Sequence, residues 1–171
     1  DQVAEHFSRN NLWHPNHHGF RPNHSTATAV AQLYDFWIKK AEDKELCAAL
    51  LLDLSAAFDV VDHKILLEKL HLYNFSDKSI SWFKSYLEDR KQVVVVESKL
   101  SDAKDIGEQG VPQGSLLGPI LFIIFYNDFP DVRDIGGSSI IYADDDTDNI
   151  SHADPDILQQ KIQEEANKST S

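Results

Sequence analysis

The segment ELCAALLLDL, residues 45–54, is an almost unbroken apolar run that ends beside an aspartate. A run this short suits a strand better than a buried helix. Continuous apolarity, rather than alternation, predicts a central strand covered on both faces, with Asp53 at its polar tip. A carboxylate at the end of such a strand costs free energy unless charge or hydrogen bonds compensate. Asp53 is therefore a candidate for chemistry as well as a strand end. Asp59 and Asp62 follow closely, and for these two the preferred reading is that one or the other caps the next helix.

The rest of the chain organises around this strand. Residues 2–9 have the pattern of a helix end. Residues 10–25, NNLWHPNHHGFRPNHS, defeat any regular period and predict a loop. Ser25 predicts a cap for a helix reaching about Asp43, with Val30, Leu33, Tyr34, Trp37 and Ile38 on one buried face. Helices are expected at about 62–72, with Ile65, Leu66 and Leu70 on one stripe, and at about 78–88. The second of these would bury Ile80, Trp82, Phe83, Tyr86 and Leu87. The four valines of Gln92–Glu97 demand a strand, with a partner near 103–108. The GVPQGS loop, residues 110–115, feeds a helix at about 116–127. Gly136-Gly137 turns the chain into a hairpin with strands 138–142 and 147–151 around a tip at 143–146. Asp154-Pro155 starts a last helix that runs to about Lys168. Helix pairs mixed with antiparallel strands predict an α+β fold, a small sheet with helices packed on one face.

The chain has 171 residues, room for a single domain with a real core. No stretch approaches the roughly 20 apolar residues of a membrane span, so no membrane partner is expected. The first residues lack both an initiator Met and a signal-peptide pattern, which suggests a fragment of a longer protein. One cysteine, Cys47, excludes an internal disulfide and a Cys-based zinc site, and its apolar neighbours suggest buried filler. His14, His17, His18 and His24 crowd one loop at spacings that match no standard zinc pattern. The formal charge is 16 − 28 = −12. Affinity for phosphate backbones comes mainly from Lys and Arg. An acidic nucleic-acid enzyme would need carboxylates that hold cations and basic surfaces supplied by other domains.

Two further segments carry candidate chemistry. Tyr142-Ala143-Asp144-Asp145-Asp146 places adjacent carboxylates at a hairpin tip, where they repel one another. An ordinary acidic turn is one reading. A divalent cation site is the other: hard oxygen ligands suit magnesium, which takes one or two protein carboxylates and keeps several waters. A two-metal site needs carboxylates from separate strands, and Asp53 with Asp144-Asp145 could supply them. In the GVPQGS loop, Gly110 and Gly114 let backbone approach a ligand closely. A tight loop before a helix accounts for its glycines and proline and leaves Gln113 unexplained.

LDLSAAFDVVDH, GVPQGSLLGPILFIIFYND and YADD occur in this order, with HGFRPNHSTA upstream and WFKSYLEDRKQVVVV between. Together they resemble the reverse transcriptase domain of non-LTR retrotransposons of the jockey class, over about residues 17–150. The resemblance implies a polymerase palm with partial fingers across residues 1–171, and an RNA-directed DNA polymerase using two Mg2+ ions, with Mn2+ as a substitute. It implies Asp53, Asp144 and Asp145 as metal ligands and catalytic residues. Phe58 becomes the steric gate against a ribose 2′-hydroxyl. Gln113 and Gly114, with Leu54 and Tyr142, become the nucleotide-binding positions, and Arg21 a contact to template or to the fold itself. The implied partners are an RNA template, a DNA primer, a deoxynucleoside triphosphate and the remaining polyprotein domains; the implied locations are cytoplasm and nucleus.

Ala56 departs from the Lys usual in this family, and Asp148 from an apolar residue, which sets a charge inside a packed hairpin. Fingers motifs, thumb and endonuclease would lie outside residues 1–171. An inactive remnant that binds nucleic acid weakly is the alternative. RNA-copying RNA polymerases usually carry Gly before the aspartate pair, GGDEF cyclases need a motif absent here, and the Gly and Glu of an EF-hand loop are missing from DDDTDN.

Overall fold

The computed structural model describes residues 2–132 and 137–169, in two compact units. The first comprises residues up to Ser55 together with those from Tyr126 onward; the second is Ala56–Phe125. Gly136 of the expected turn lies outside the described residues.

The first unit is built on an antiparallel sheet of three strands in the order β1-β7-β6: β1 (Leu46–Asp53), β6 (Ser138–Tyr142) and β7 (Asp145–His152). The register of β1 on β7 runs from Leu46 opposite His152 to Asp53 opposite Asp145. That of β6 on β7 runs from Ser138 opposite Asn149 to Tyr142 opposite Asp145. Helices α1 (Gln2–Arg9), α2 (Thr26–Glu42), α6 (Phe129–Val132) and α7 (Pro155–Ser169) complete this unit. α2 lies against β1 and β6, and α7 against β1 and β7. Phe7, Trp13, Ile140, Ile141, Ile150 and Leu158 are among its buried apolar side chains. Asp154 caps α7 by accepting from the backbone N–H of Asp156 at 2.8 Å, ahead of Pro155.

Several expectations for this unit are corrected. β1 is an edge strand, not a central one. Leu51 is 76% exposed, and burial alternates along the strand; an antiparallel sheet can leave one face to solvent where no layer covers it. The hairpin tip is shorter than expected, only Ala143 and Asp144, so Asp145 and Asp146 belong to β7. α2 is rotated from its expected phase: Tyr34 is 62% exposed and Ala29 is its buried residue. Polar anchors set that rotation. Ser25 and Thr28 form a capping box. One turn later Gln32 accepts from His18 Nε2 at 2.7 Å and donates to Asn16 at 2.7 Å. Residues four apart share a helix face, so these bonds hold the Thr28–Gln32 face inward against the apolar stripe.

The charge at Asp148 does not interrupt β7, which is continuous from Asp145 to His152; Asp148 is fully buried between Leu50 and Ser139. Cys47 is half-buried rather than filler in a core.

The second unit carries α3 (His63–Leu72) and α4 (Asp77–Leu87), packed on each other, a bent hairpin and most of α5 (Gly118–Tyr126). Asp62 caps α3, accepting from the Ile65 N–H at 3.0 Å. Leu66, Leu70, Phe83, Leu87 and the run Leu121–Ile124 are buried, whereas Ile65 and Trp82 are exposed. In the hairpin, β2 (Lys91–Gln92) pairs with β5 (Lys104–Asp105), and β3 (Val95–Val96) with β4 (Lys99–Leu100). Its turn residues Glu97 and Ser98 both have positive φ, the type I′ geometry that matches strand twist. The continuous strand expected over Gln92–Glu97 is broken at Val93-Val94, which lie in neither ladder, and the exposed valines do not join the core.

Candidate active site

Asp53 ends β1 directly opposite Asp145, which begins β7; Tyr142 sits on the other side of Asp145. These three share one sheet face, because directly paired residues point the same way. Asp144 occupies the two-residue turn that joins Tyr142 to Asp145. Asp53 and Asp145 are exposed, and Asp144 and Tyr142 half-buried. Leu54, half-buried, follows Asp53 at the strand end. Two carboxylates remote in sequence thus face each other, with a third in the adjoining turn.

Asp146 is separated from this group by strand alternation. It is buried, pairs with Leu52 and Ile141, and accepts a hydrogen bond from the Ser139 hydroxyl. Its role is structural: it turns a buried carboxylate into a cross-strand tie.

The turn is braced from below. Ala143 has φ 59, a left-handed value that costs an alanine about 1 kcal/mol or more. Gly19 lies against it so closely that a Cβ on Gly19 would stand 2.2 Å from the Ala143 backbone nitrogen. The loop carrying Gly19 is stitched to the outer edge of β6: the His18 N–H donates to the Ile141 carbonyl at 2.7 Å, and the Ile141 N–H to the Asn16 carbonyl at 2.9 Å. Irregular sequence concealed this role, since the loop follows the sheet edge by its own backbone rather than by any apolar period. His17 is fully buried here, and among the described residues neither ring nitrogen meets a hydrogen-bond partner of normal geometry. Burial, aided by the nearby Arg21 charge, lowers its pKa to about 4, with the Gly19 backbone pulling weakly the other way. Arg21 donates to the carbonyls of His14 at 2.8 Å and His17 at 3.2 Å, and its guanidinium lies over Trp13. Those contacts serve the fold. Burial lowers the pKa of Arg21.

The second unit holds the remaining predicted positions. Phe58 is half-buried and stacks on Phe122, with ring centroids 4.6 Å apart. Residues 56–63 and 108–113 are laced together. The Gly110 N–H donates to Val61 at 2.8 Å, the Val111 N–H to Phe58 at 2.9 Å, and the His63 N–H to Glu108 at 3.1 Å. His63 Nε2 also lies 2.7 Å from the Gly110 carbonyl. Gly110 has φ 84, which favours glycine, and a Cβ there would sit tightly, 3.1 Å from the Asp59 carbonyl. Gly114 has φ 78 with open space around it. Gln113 is exposed and donates from Nε2 to Asp59 Oδ1 at 2.8 Å. Of the two residues the sequence offered as the cap of α3, Asp62 holds that position and Asp59 does not.

Among the described residues no three His, Cys, Asp or Glu side chains form a ready metal cage. Asp53 facing Asp145 is nevertheless a hard-oxygen donor pair. Magnesium characteristically takes one or two carboxylates and completes its shell with water and substrate phosphates, so the donor set fits such an ion.

Residues 1–168 match the family described as Reverse transcriptase (RNA-dependent DNA polymerase). The chain belongs to the reverse transcriptase family. Reverse transcriptases are nucleotidyltransferases and generally use divalent metal ions. Among relatives of this reverse transcriptase domain, the probable RNA-directed DNA polymerase from transposon BS of Drosophila melanogaster is 40% identical over 117 residues, 68% of this chain and 13% of that protein. The RNA-directed DNA polymerase from the mobile element jockey of Drosophila funebris is 37% identical over 133 residues, covering 74% of this chain and 14% of that protein. These matches support a domain of the non-LTR retrotransposon type, and the chain spans about one seventh of the curated relatives' length. Among solved structures, apo telomerase from Candida tropicalis superposes with a TM-score of 0.66 at 16% identity, covering 95% of this chain and 34% of that one. At that identity the likeness establishes the fold, an α+β palm-like arrangement. No helix among the described residues is long and apolar enough to cross a membrane.

Proposed function

We propose that this reverse transcriptase domain is the catalytic core of an RNA-directed DNA polymerase, in which Asp53, Asp144 and Asp145 hold two Mg2+ ions. The observation that carries the reading is the register of the sheet, with Asp53 directly across from Asp145. Mn2+ would substitute for Mg2+. Bound divalent ions supply charge neutralisation at the reacting phosphate. The protein contributes placement: carboxylate oxygens on adjacent strands, fixed by the ladder, and a turn braced by Gly19. Placement and charge neutralisation supply most of the catalysis in phosphoryl transfer. The primer 3′-hydroxyl attacks the α-phosphate of a deoxynucleoside triphosphate, forming the new P–O bond as pyrophosphate leaves.

Phe58 is assigned as the ring that occupies the space a ribose 2′-hydroxyl would need. Gln113, Gly114, Leu54 and Tyr142 are assigned to nucleotide binding. The net charge of −12 favours basic surfaces on the remaining polyprotein domains as the main grip on RNA template and DNA primer. Assembly with RNA in the cytoplasm and copying at nuclear DNA follow from the same assignment.

The test is Mg2+-dependent extension of a DNA primer on an RNA template. Asp53→Asn and Asp144→Ala are each expected to abolish extension while leaving the fold intact. Extension retained in either variant rules out the assignment. Nucleic-acid binding without extension by the unaltered chain supports the inactive-remnant reading.

A further inference from the structure

Two positions that sequence reasoning left without a settled role meet in the second unit. Gln113 is the one residue of the GVPQGS loop that turn geometry does not account for. Asp59 has the look of a helix cap, yet Asp62 performs that task. Asp59 instead accepts from Gln113 Nε2 at 2.8 Å.

An exposed side-chain pair usually yields to water and to its own rotamer freedom. Here the backbone at both ends is held. The Asp59 N–H donates to the Ala56 carbonyl at 2.8 Å, and the Val111 N–H to the Phe58 carbonyl at 2.9 Å. Gly110 lies flat against the Asp59 backbone. The pair therefore closes a gap whose width the ladder already sets, and it orders only two side chains.

The chemistry of the bond also fixes its direction. An ionised carboxylate only accepts hydrogen bonds, so the nitrogen end of the Gln113 amide must face Asp59. The amide oxygen is then turned away from it. A glutamine without such a partner presents either end of its amide.

We propose that Asp59 is a positioning residue for nucleotide binding. It holds the Gln113 amide so that its oxygen is offered as an acceptor to a hydrogen-bond donor on the incoming deoxynucleoside triphosphate. This inference rests on the polymerase reading above.

The experiment is primer extension on an RNA template, with KM for each of the four deoxynucleotides and kcat measured separately. The unaltered chain is compared with Asp59→Ala, Asp59→Asn, Gln113→Ala and the double variant Asp59→Ala/Gln113→Ala. Asp59→Ala is expected to raise KM about three- to tenfold with kcat within about twofold, the scale of one hydrogen bond. Asp59→Asn keeps the reach and an acceptor oxygen but adds a donor, so it no longer fixes the direction of the Gln113 amide and is expected to give a KM between those of the unaltered chain and Asp59→Ala. In the Gln113→Ala background, Asp59→Ala is expected to add nothing, because the two act as one unit. A merely structural role for Asp59 would persist in that background, and that result overturns the inference. So does an unchanged KM in Asp59→Ala. An effect equal for all four nucleotides assigns the donor to the sugar; an effect confined to some bases assigns it to a base amino group. Should Asp59→Ala fail to fold, Asp59→Ser, too short to reach Gln113, carries the same expectation. With the chain in its full polyprotein, absence of extension, or extension that survives Asp53→Asn, overturns the polymerase reading and this inference with it.

Discussion

The facing carboxylates make a quantitative prediction about Asp145→Asn. Directly opposed residues on neighbouring antiparallel strands have their Cβ atoms about 5 Å apart. Two unit charges at that distance repel by about 0.8 kcal/mol in water, and exposure of both Asp53 and Asp145 makes water the right medium. Without divalent metal, replacing Asp145 by the isosteric amide removes that repulsion and part of the repulsion from Asp144. The expected gain is about 1 kcal/mol, or about 2–4 °C in Tm for a chain of this size. With Mg2+ the order reverses. An ion that binds only the folded protein stabilises it by about 1.4 kcal/mol at ten times its Kd, and the variant forfeits most of that. Thermal unfolding in EDTA and in a Mg2+ series, at matched ionic strength, measures both effects. If unaltered chain and variant respond equally to Mg2+, or if the variant is no more stable in EDTA, the carboxylates do not form the charge-strained cation site argued for here.

Three shorter predictions accompany it. Gly19→Ala drives a methyl group into the Ala143 backbone, and overpacking of this kind costs about 1–3 kcal/mol; denaturant unfolding should show that loss, and extension should fall with it if the turn carrying Asp144 has the role proposed above. His17 has its pKa lowered from 6.5 to about 4 in the folded chain, so the unfolded chain binds the extra proton first. Stability is full above pH 6.5 and falls by up to about 3 kcal/mol as pH drops to 4; His17→Phe should flatten that limb of a pH-stability profile, and an unchanged slope would contradict the burial argument. Phe58→Val should allow ribonucleotides to be incorporated on an RNA template, read by gel, whereas continued exclusion would assign the ring to packing on Phe122 alone.

Local chemistry was legible along the chain. Ser25, Asp62 and Asp154 announced three helix starts, and each caps the helix expected of it. Asp53 and the YADD segment stood out because carboxylates at apolar strand ends are costly. What sequence patterning misjudged was burial. ELCAALLLDL reads as a strand hidden on both faces, yet β1 is an edge with one face open. The apolar stripe of α2 reads as its inner face, yet the Thr28–Gln32 side is turned inward. In both cases an apolar pattern reports what a surface would prefer, and the layers actually available decide what it receives.

By itself the amino-acid sequence determined the family, the order of elements, the caps and the identity of the acidic residues, because these depend on chemistry between near neighbours. Only the tertiary structure decided that Asp53 meets Asp145, that Asp146 turns inward to Ser139, that Gly19 supports Ala143 and that Asp59 holds Gln113. Each of these joins residues far apart in the chain or on alternate strand faces. Such pairings are set by strand register and by close approach of backbones, quantities that no local pattern of side chains contains.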